Sequence, residues 1–439
     1  SIEPPGASVP PCGWPSLWRV KPGRILLLGM LALILTGAVV VAGTMAGGRA
    51  QSDETQAQLA PFYTPPDPLD ATPGTLLRVE PLTFADPPLS MDVDGGTVYR
   101  MLYVSARPDG SSAVSGAMVF LPDTPAPAQG RPVLAWAHGT VGMGDACAPS
   151  RDPKGTADMA GWLEQSLALG WVVVATDYVG LGTPGPELYL VAQAEVNDIV
   201  HSIQAVRSWA DAQAGTRYGV FGHSQGGHSA LWAGHLASDI DPSLELVGVA
   251  AAAPAAMLPE IVGVQWDTAA GWAIGPEALI AWQYIDPDLP IAGVLTTVGN
   301  DNAQRLAEEC IQLAGLEGLA RAQLGQSFFA VNPVDAPGWS DFVADQTPPP
   351  LPAGMPVFIA QGTADEVVLA WPQALLQLEW CAAGSDLAML WMGEVNHLKA
   401  AITSGPQVIA WMADRFADRP AARTCDVPPP VAPEPPPDN

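Results

Sequence analysis

Positive charge is scarce in this chain. Lysine occurs only at Lys21, Lys154 and Lys399, and the 439 residues hold 18 Lys and Arg against 45 Asp and Glu, a formal net charge of −27. A phosphate backbone rewards Lys and Arg, so a nucleic-acid partner is excluded. The excess of acid reads as a soluble, self-repelling surface. Histidine occurs six times and cysteine five times, with no CxxC pair, so no metal site is expected. The Lys-bearing phosphate loop G-x-x-x-x-G-K-[ST] is missing, as is any internal repeat. No metal or organic cofactor is implied, and the chain is expected to be a monomer. Against these absences, apolar residues make up 48%, enough for a sizeable core.

The N-terminus has its own character. Residues 1–24 end in a basic flank (Arg19, Lys21, Arg24) and read as a cytoplasmic segment. Ile25 to Gly47 follows without a charge, and a run of about 20 apolar residues is long enough to span a bilayer. It reads as a transmembrane anchor or a signal helix, either of which sends the remainder out of the cytoplasm. Residues 48–74, with "APFYTPPDPLDATPG", read as a Pro-rich linker, and residues 426–439 as a disordered Pro-rich tail. Cys12 precedes the apolar run. Cys147, Cys310, Cys381 and Cys425 follow it, an even set that suggests two disulfides with three possible connectivities.

Residues 75–425 alternate between strand and helix signals. "TVYRMLYVSAR" and "SGAMVFLP", separated by "PDG", look like early antiparallel strands. "PVLAWAHG", "WVVVATDY", "YGVFG", "LELVGVAAAAP", "MPVFIAQG" and "LAMLWMG" read as further strands. Helical spacing appears in residues 158–170, 193–213 and 226–238. Such alternation implies a mostly parallel sheet with helices on both faces. The rhythm breaks between about residues 257 and 348, where helical segments stand without a strand pair. That is where an inserted cap over the sheet's C-terminal edge would fall.

Within "YGVFGHSQGGH" (residues 218–228), Gly222-His223-Ser224-Gln225-Gly226 fits G-x-S-x-G. The motif follows a strand signal and precedes an amphipathic helix, the context of a nucleophile elbow, where small neighbours let the chain turn sharply. A serine needs a base. In this fold class the acid and then the histidine follow the serine in the chain. That order excludes His138, His201 and His223. His228 and His235 lie on the helix after the elbow and leave no room for an acid strand. His397, in "GEVNHLKA" after the last strand, remains. The acid belongs after the preceding strand, where "GTADEVV" offers Asp365 and Glu366. Asp365 is preferred, with Glu366 a solvated neighbour. The oxyanion hole is expected from the backbone N–H groups of Gln225 and of Thr140 in "AHGTVG", with His138 shaping that loop.

Taken in order, "FYTPP", "AHGT…CAPS", "DYVGLGTPG", "GHSQGGH" and "GTADEVV" resemble the secretory lipase family, the lipase A-like α/β-hydrolases of fungi and actinobacteria, over roughly residues 61–425. The resemblance implies an α/β-hydrolase fold, a helical cap with an acyl-binding tunnel, and hydrolysis of carboxylic esters by Ser224, Asp365 and His397 as lipase or carboxylesterase. It also implies the pairings Cys147–Cys310 and Cys381–Cys425. The cap tryptophans Trp266, Trp272 and Trp282 would shield an acyl chain, or simply pack. An acyltransferase using the same triad and a catalytically inactive binding protein of the same fold are the alternatives. The partners implied are a lipid or ester substrate and, if the N-terminal helix is retained, a membrane.

Overall fold

A computed structural model describes residues 54–82, 93–152 and 157–435. The chain divides into two units, Ser1–Gln58 and Leu59–Asn439. Of the first, only residues 54–58 are described, in helical conformation. The apolar run expected to anchor or export the chain lies outside the described residues. Among the described residues, no helix is long and apolar enough to cross a membrane.

In the second unit the strands form one nine-stranded sheet in the order β1-β2-β3-β5-β4-β6-β7-β8-β9. The antiparallel part comprises β1 (Leu76–Pro81), β2 (Gly96–Ala106) and β3 (Ser112–Pro122). β3 also runs antiparallel to β5 (Val172–Thr176). The parallel part continues through β4 (Arg131–Ala137), β6 (Ala214–His223), β7 (Glu245–Ala252), β8 (Pro356–Gly362) and β9 (Asp386–Met392). The central strands are apolar without interruption because both faces are covered. Successive side chains point to opposite faces. Val133, Ala135 and Ala137 of β4 therefore pack in one core with Val357 and Ile359 of β8. Leu134 and Trp136 enter the other core with Phe358 and Ala360.

Helix α1 (Leu163–Ala168) and the C-terminal helix Ala400–Phe416 cover the second of these faces. The first is covered by α2 (Ala192–Ser208), α3 (Gln225–Ile240) and the helix Ala370–Ala383. α1 is shorter than the expected helix over residues 158–170. Asp158 instead sits in a single 3-10 turn over residues 157–159, where its carboxylate meets His223 and its carbonyl accepts the Trp162 indole N–H.

Between β7 and β8 the chain forms α4 (Leu258–Gln265), α5 (Ala269–Ile285), α6 (Thr297–Glu308), α7 (Ile311–Gln323) and α8 (Trp339–Asp345). α9 is Ala370–Ala383 and α10 is Ala400–Phe416. The side chains of Thr268 and Thr296 cap α5 and α6 by accepting backbone N–H groups. The inserted helices share a core of their own, built on Trp272, Trp282, Phe328, Phe329 and Trp339, which reaches Leu188, Tyr189 and Leu190 of the loop before α2.

The structure departs from the expected linker over residues 48–74. Phe62 and Tyr63 are buried against Leu102 and Val114, and Arg78 donates to the Phe62 carbonyl. β1, which the pattern did not reveal, then adds to the antiparallel edge. An apolar Phe-Tyr pair inside a proline-rich stretch finds a partner surface that composition cannot show. The start of the expected tail is likewise fastened, because Gln377 donates to the Val427 carbonyl at 2.7 Å.

Two disulfides join Cys147 to Cys310 and Cys381 to Cys425. The first spans 163 residues and ties the loop after β4 to the start of α7. The second holds the segment in which the Thr424 N–H donates to the Leu387 carbonyl and the Thr424 hydroxyl accepts the Met389 N–H. This segment fastens the outer edge of β9.

Candidate active site

Ser224 stands at the turn between β6 and α3, at φ 56° and ψ −115°. A non-glycine residue pays for this positive φ in strain, and the surrounding contacts hold it there. The Ser224 N–H donates to the Ala252 carbonyl, and the Ser224 carbonyl accepts the N–H groups of His228 and Ala255. The flanking glycines are needed for room. A Cβ on Gly222 would lie 1.9 Å from the Gly226 carbonyl oxygen, and one on Gly226 would lie 1.9 Å from the Ala137 carbonyl oxygen.

The three residues picked out by order and spacing come together here. His397 Nε2 lies 3.0 Å from Ser224 Oγ, and His397 Nδ1 lies 2.9 Å from Asp365 Oδ2. All three are buried. Asp365 Oδ1 accepts the N–H groups of Val367 and Val368, each at 2.9 Å, and Oδ2 accepts from Gln361 Nε2 at 3.3 Å. These bonds fix the direction of the carboxylate. Glu366 is exposed beside it. Its carbonyl, with that of Val367, accepts the Gln265 side-chain amide from α4, which ties the inserted helices to the acid loop.

Gln225 is the first residue of α3, so its N–H has no acceptor within the helix. Its side chain is held at the other end, donating to Glu187 Oε1 at 2.9 Å and Glu195 Oε1 at 3.0 Å. Thr140 lies in the loop after β4, its hydroxyl 2.8 Å from the Tyr189 hydroxyl. That loop is strapped to the insertion by the first disulfide, by the Met143 N–H on the Ala307 carbonyl and by the Ile311 N–H on the Val141 carbonyl. A Cβ on Gly142 would lie 2.2 Å from the Glu309 carbonyl oxygen, so the approach requires glycine. His138 is buried with its Nδ1 against the Gly139 carbonyl, and burial lowers its pKa.

Sequence reasoning set aside two histidines that the structure gives clear work. His228 Nδ1 lies 2.8 Å from Glu195 Oε2 and its Nε2 lies 2.8 Å from the Gln346 carbonyl. His223 lies between Asp158 and the backbone of His397. The buried acids Glu187, Glu195 and Glu277 were also missed. One signal was present: Gln225, His228 and Ser229 fall at i, i+3 and i+4 on one helix face, a polar cluster on a helix with a buried start.

A cavity of about 780 Å³ of empty space, its mouth included, opens onto Ser224. Its walls include Leu258, Ile261, Trp266, Ile274, Trp282 and Phe329 from the insertion, with Val368 from the loop after β8. Trp272 is not among them. It is buried in the insertion's own core, its indole N–H on the Gln326 carbonyl and the Arg321 guanidinium 4.6 Å over its ring. For this residue packing is the observed role.

A serine on a strained strand-to-helix turn, an oriented histidine and an apolar cavity together suit acyl transfer from an ester. The family model for secretory lipases matches residues 156–424. The chain belongs to the secretory lipase family. Among its relatives, a secreted triacylglycerol lipase of Malassezia globosa is 24% identical over 93% of this chain and 89% of its own length. A protein of Mycobacterium tuberculosis named a probable inactive lipase is 25% identical over 85% of this chain and 87% of its own length. The closed state of Candida antarctica lipase A superposes with a TM-score of 0.65 at 18% identity, covering 85% of this chain and 89% of that one. A rice cell wall degrading esterase of Xanthomonas oryzae gives 0.62 at 19% identity, covering 79% and 99%. The fold is that of the α/β-hydrolases, and this secretory lipase is a carboxylic ester hydrolase. Family membership and two disulfides place it outside the cytoplasm.

Proposed function

We propose that this secretory lipase cleaves acyl esters, acylglycerols among them, with Ser224 as nucleophile, His397 as general base and acid, and Asp365 as the group that orients His397. The observation that carries the reading is the continuous chain Ser224–His397–Asp365 opening into an apolar cavity. Ser224 Oγ attacks the ester carbonyl carbon as His397 Nε2 takes its proton. The N–H groups of Gln225 and Thr140 stabilise the oxyanion. The C–O bond to the alcohol breaks as His397 returns the proton to the leaving oxygen. Water, deprotonated by the same nitrogen, then attacks the acyl-enzyme and frees the acid and Ser224. Asp365 stabilises the imidazolium without taking its proton.

The apolar cavity walls favour a hydrocarbon chain. The inserted helices, residues 257–348, act as the cap over it, and the N-terminal apolar run serves for export or for tethering to a membrane. The inactive relative makes the alternative of a dead hydrolase concrete; the complete triad geometry counts against it here. A series of p-nitrophenyl esters from acetyl to palmitoyl tests the reading. Turnover is expected to rise with chain length and to fall by about 10⁶-fold in Ser224→Ala, as when members of such a triad act as a unit. A fluorophosphonate should label the wild type alone. Wild-type turnover no greater than that of Ser224→Ala would favour the inactive reading, and labelling of the variant would move the nucleophile elsewhere.

A further inference from the structure

The histidine inside the serine motif has no part in the triad, yet it touches it. His223 ends β6 and is buried. Its Nδ1 lies 2.7 Å from Asp158 Oδ2 and its Nε2 lies 3.1 Å from the backbone carbonyl of His397. Its ring centre lies 4.8 Å from that of His397, at 37° between planes. Both of its partners are oxygen acceptors with no hydrogen to give. A neutral imidazole carries one N–H, so it can satisfy one of them. Both bonds exist together only when the ring is an imidazolium.

We propose that His223, charged and paired with Asp158, is a positioning residue for the reaction: its Nε2–H bond to the His397 carbonyl sets the backbone from which the catalytic imidazole reaches Ser224. The proposal rests on the triad reading above. Loss of the Nε2 proton turns a nitrogen lone pair toward the His397 carbonyl oxygen. Attraction becomes repulsion, and the peptide that carries His397 shifts away from the 3.0 Å contact with Ser224. The device therefore switches off as pH rises.

The groups around it agree with this direction. Burial by itself would lower the His223 pKa; the Asp158 hydrogen bond and charge, the Asp365 charge and the His397 carbonyl together raise it. Burial would raise the Asp158 pKa, and the bond to His223 with the charges of His223, His397 and His138 holds it below the usual carboxylate range. Asp158 comes from the turn before α1, Asp365 from the loop after β8, His397 from the loop after β9 and His138 from the loop after β4. Four separate segments thus gather around the elbow, two of them bonded to the His223 ring.

The test is the pH profile of kcat for ester hydrolysis, with thermal melts run in parallel. Removing the Asp158 charge in Asp158→Asn should move the alkaline fall in kcat down by about one pH unit or more, the size of shift a neighbouring charge produces. KM should move less than kcat, because neither residue lines the cavity. Asp158→Glu, which keeps the charge, should keep the limb near its wild-type position. His223→Phe keeps a ring without donors and should lower kcat at every pH, with no dependence on Asp158 remaining. If Asp158→Asn melts earlier yet keeps the wild-type pH profile, the pair is only structural and the proposal fails. It fails as well if folded His223→Phe keeps full kcat. Should Ser224→Ala retain activity, the triad reading falls first and takes this proposal with it. A dead Ser224→Ala alongside an unmoved limb condemns the proposal alone.

Discussion

At the scale of single residues, the acid is the sharpest point to test. Asp365 and Glu366 are neighbours of the same charge, and spacing can hardly separate them. The structure separates them by burial: Asp365 is enclosed and accepts two backbone N–H groups, whereas Glu366 is exposed. Asp365→Asn should lower kcat by about 10⁴-fold if the carboxylate sets the histidine tautomer. Glu366→Gln should leave kcat within about two-fold, as for surface changes away from special features. Ester kinetics on both variants decide it, and the reverse ranking would reassign the acid. Ser224 and His397 were legible because the chain holds so few histidines and the motif has a strict order. His223 was not, because order excluded it from the triad and said nothing of a supporting role.

At the scale of elements, the two disulfides do different work. Cys147–Cys310 ties the loop that carries Thr140 to the insertion, while Cys381–Cys425 fastens an edge segment remote in the fold from that loop. Each bridge is expected to contribute about 2–4 kcal/mol to stability. The Cys147→Ser/Cys310→Ser pair should also depress kcat if the Thr140 N–H serves the oxyanion, since its loop loses its strap. The Cys381→Ser/Cys425→Ser pair should lower the melting temperature while leaving kcat near wild type. Equal kcat in the two double variants would mean that the strap does not set the oxyanion loop. The insertion was foreseen as a break in strand rhythm, but its seam was not. Glu277 of α5 is buried, and among the described residues neither of its carboxylate oxygens has a hydrogen-bond partner. Burial, with the nearby Glu187 charge, raises its pKa well above the usual value.

At the scale of the whole molecule, such buried acids set a pH dependence of stability. Burial pushes Asp177 up to about 6 and Asp198 up to about 7, and raises Glu187 as well. An acid with a raised folded pKa contributes stability that is complete below its unfolded pKa and is lost as pH rises through the folded value. His223, also raised, follows the same sign. His201 opposes it: burial pushes it down to about 4, so its contribution is lost as pH falls from 6.5 toward 4. Above pH 6.5 Asp198, Glu187, Glu277 and His223 act alone, and the melting temperature should fall steadily from pH 6.5 to 8. The net charge of −27 adds repulsion with the same sign, but salt screens that part and spares the buried groups. In high salt, Glu277→Gln should therefore flatten the slope, melting above wild type at pH 8 and close to it at pH 5. Parallel slopes for the two proteins would remove Glu277 from the account.

What the sequence by itself determined about this secretory lipase is local or ordered along the chain. Strand and helix alternate because apolar side chains repeat with periods that a backbone must honour. The serine motif is readable because a sharp turn admits only small neighbours, and Asp365 and His397 follow it in the order of the strands. Tertiary structure alone decided the rest, through contacts between segments far apart in the chain. Phe62 and Tyr63 became core because β2 and β3 offered a surface, although prolines around them read as linker. Trp272 turned inward while Trp266 and Trp282 faced the cavity, a choice made by packing among helices that share no common period. His223 gained its role because the turn holding Asp158 and the loop holding His397 close on it from opposite sides. A ring nitrogen can be assigned a partner only when both partners are in place.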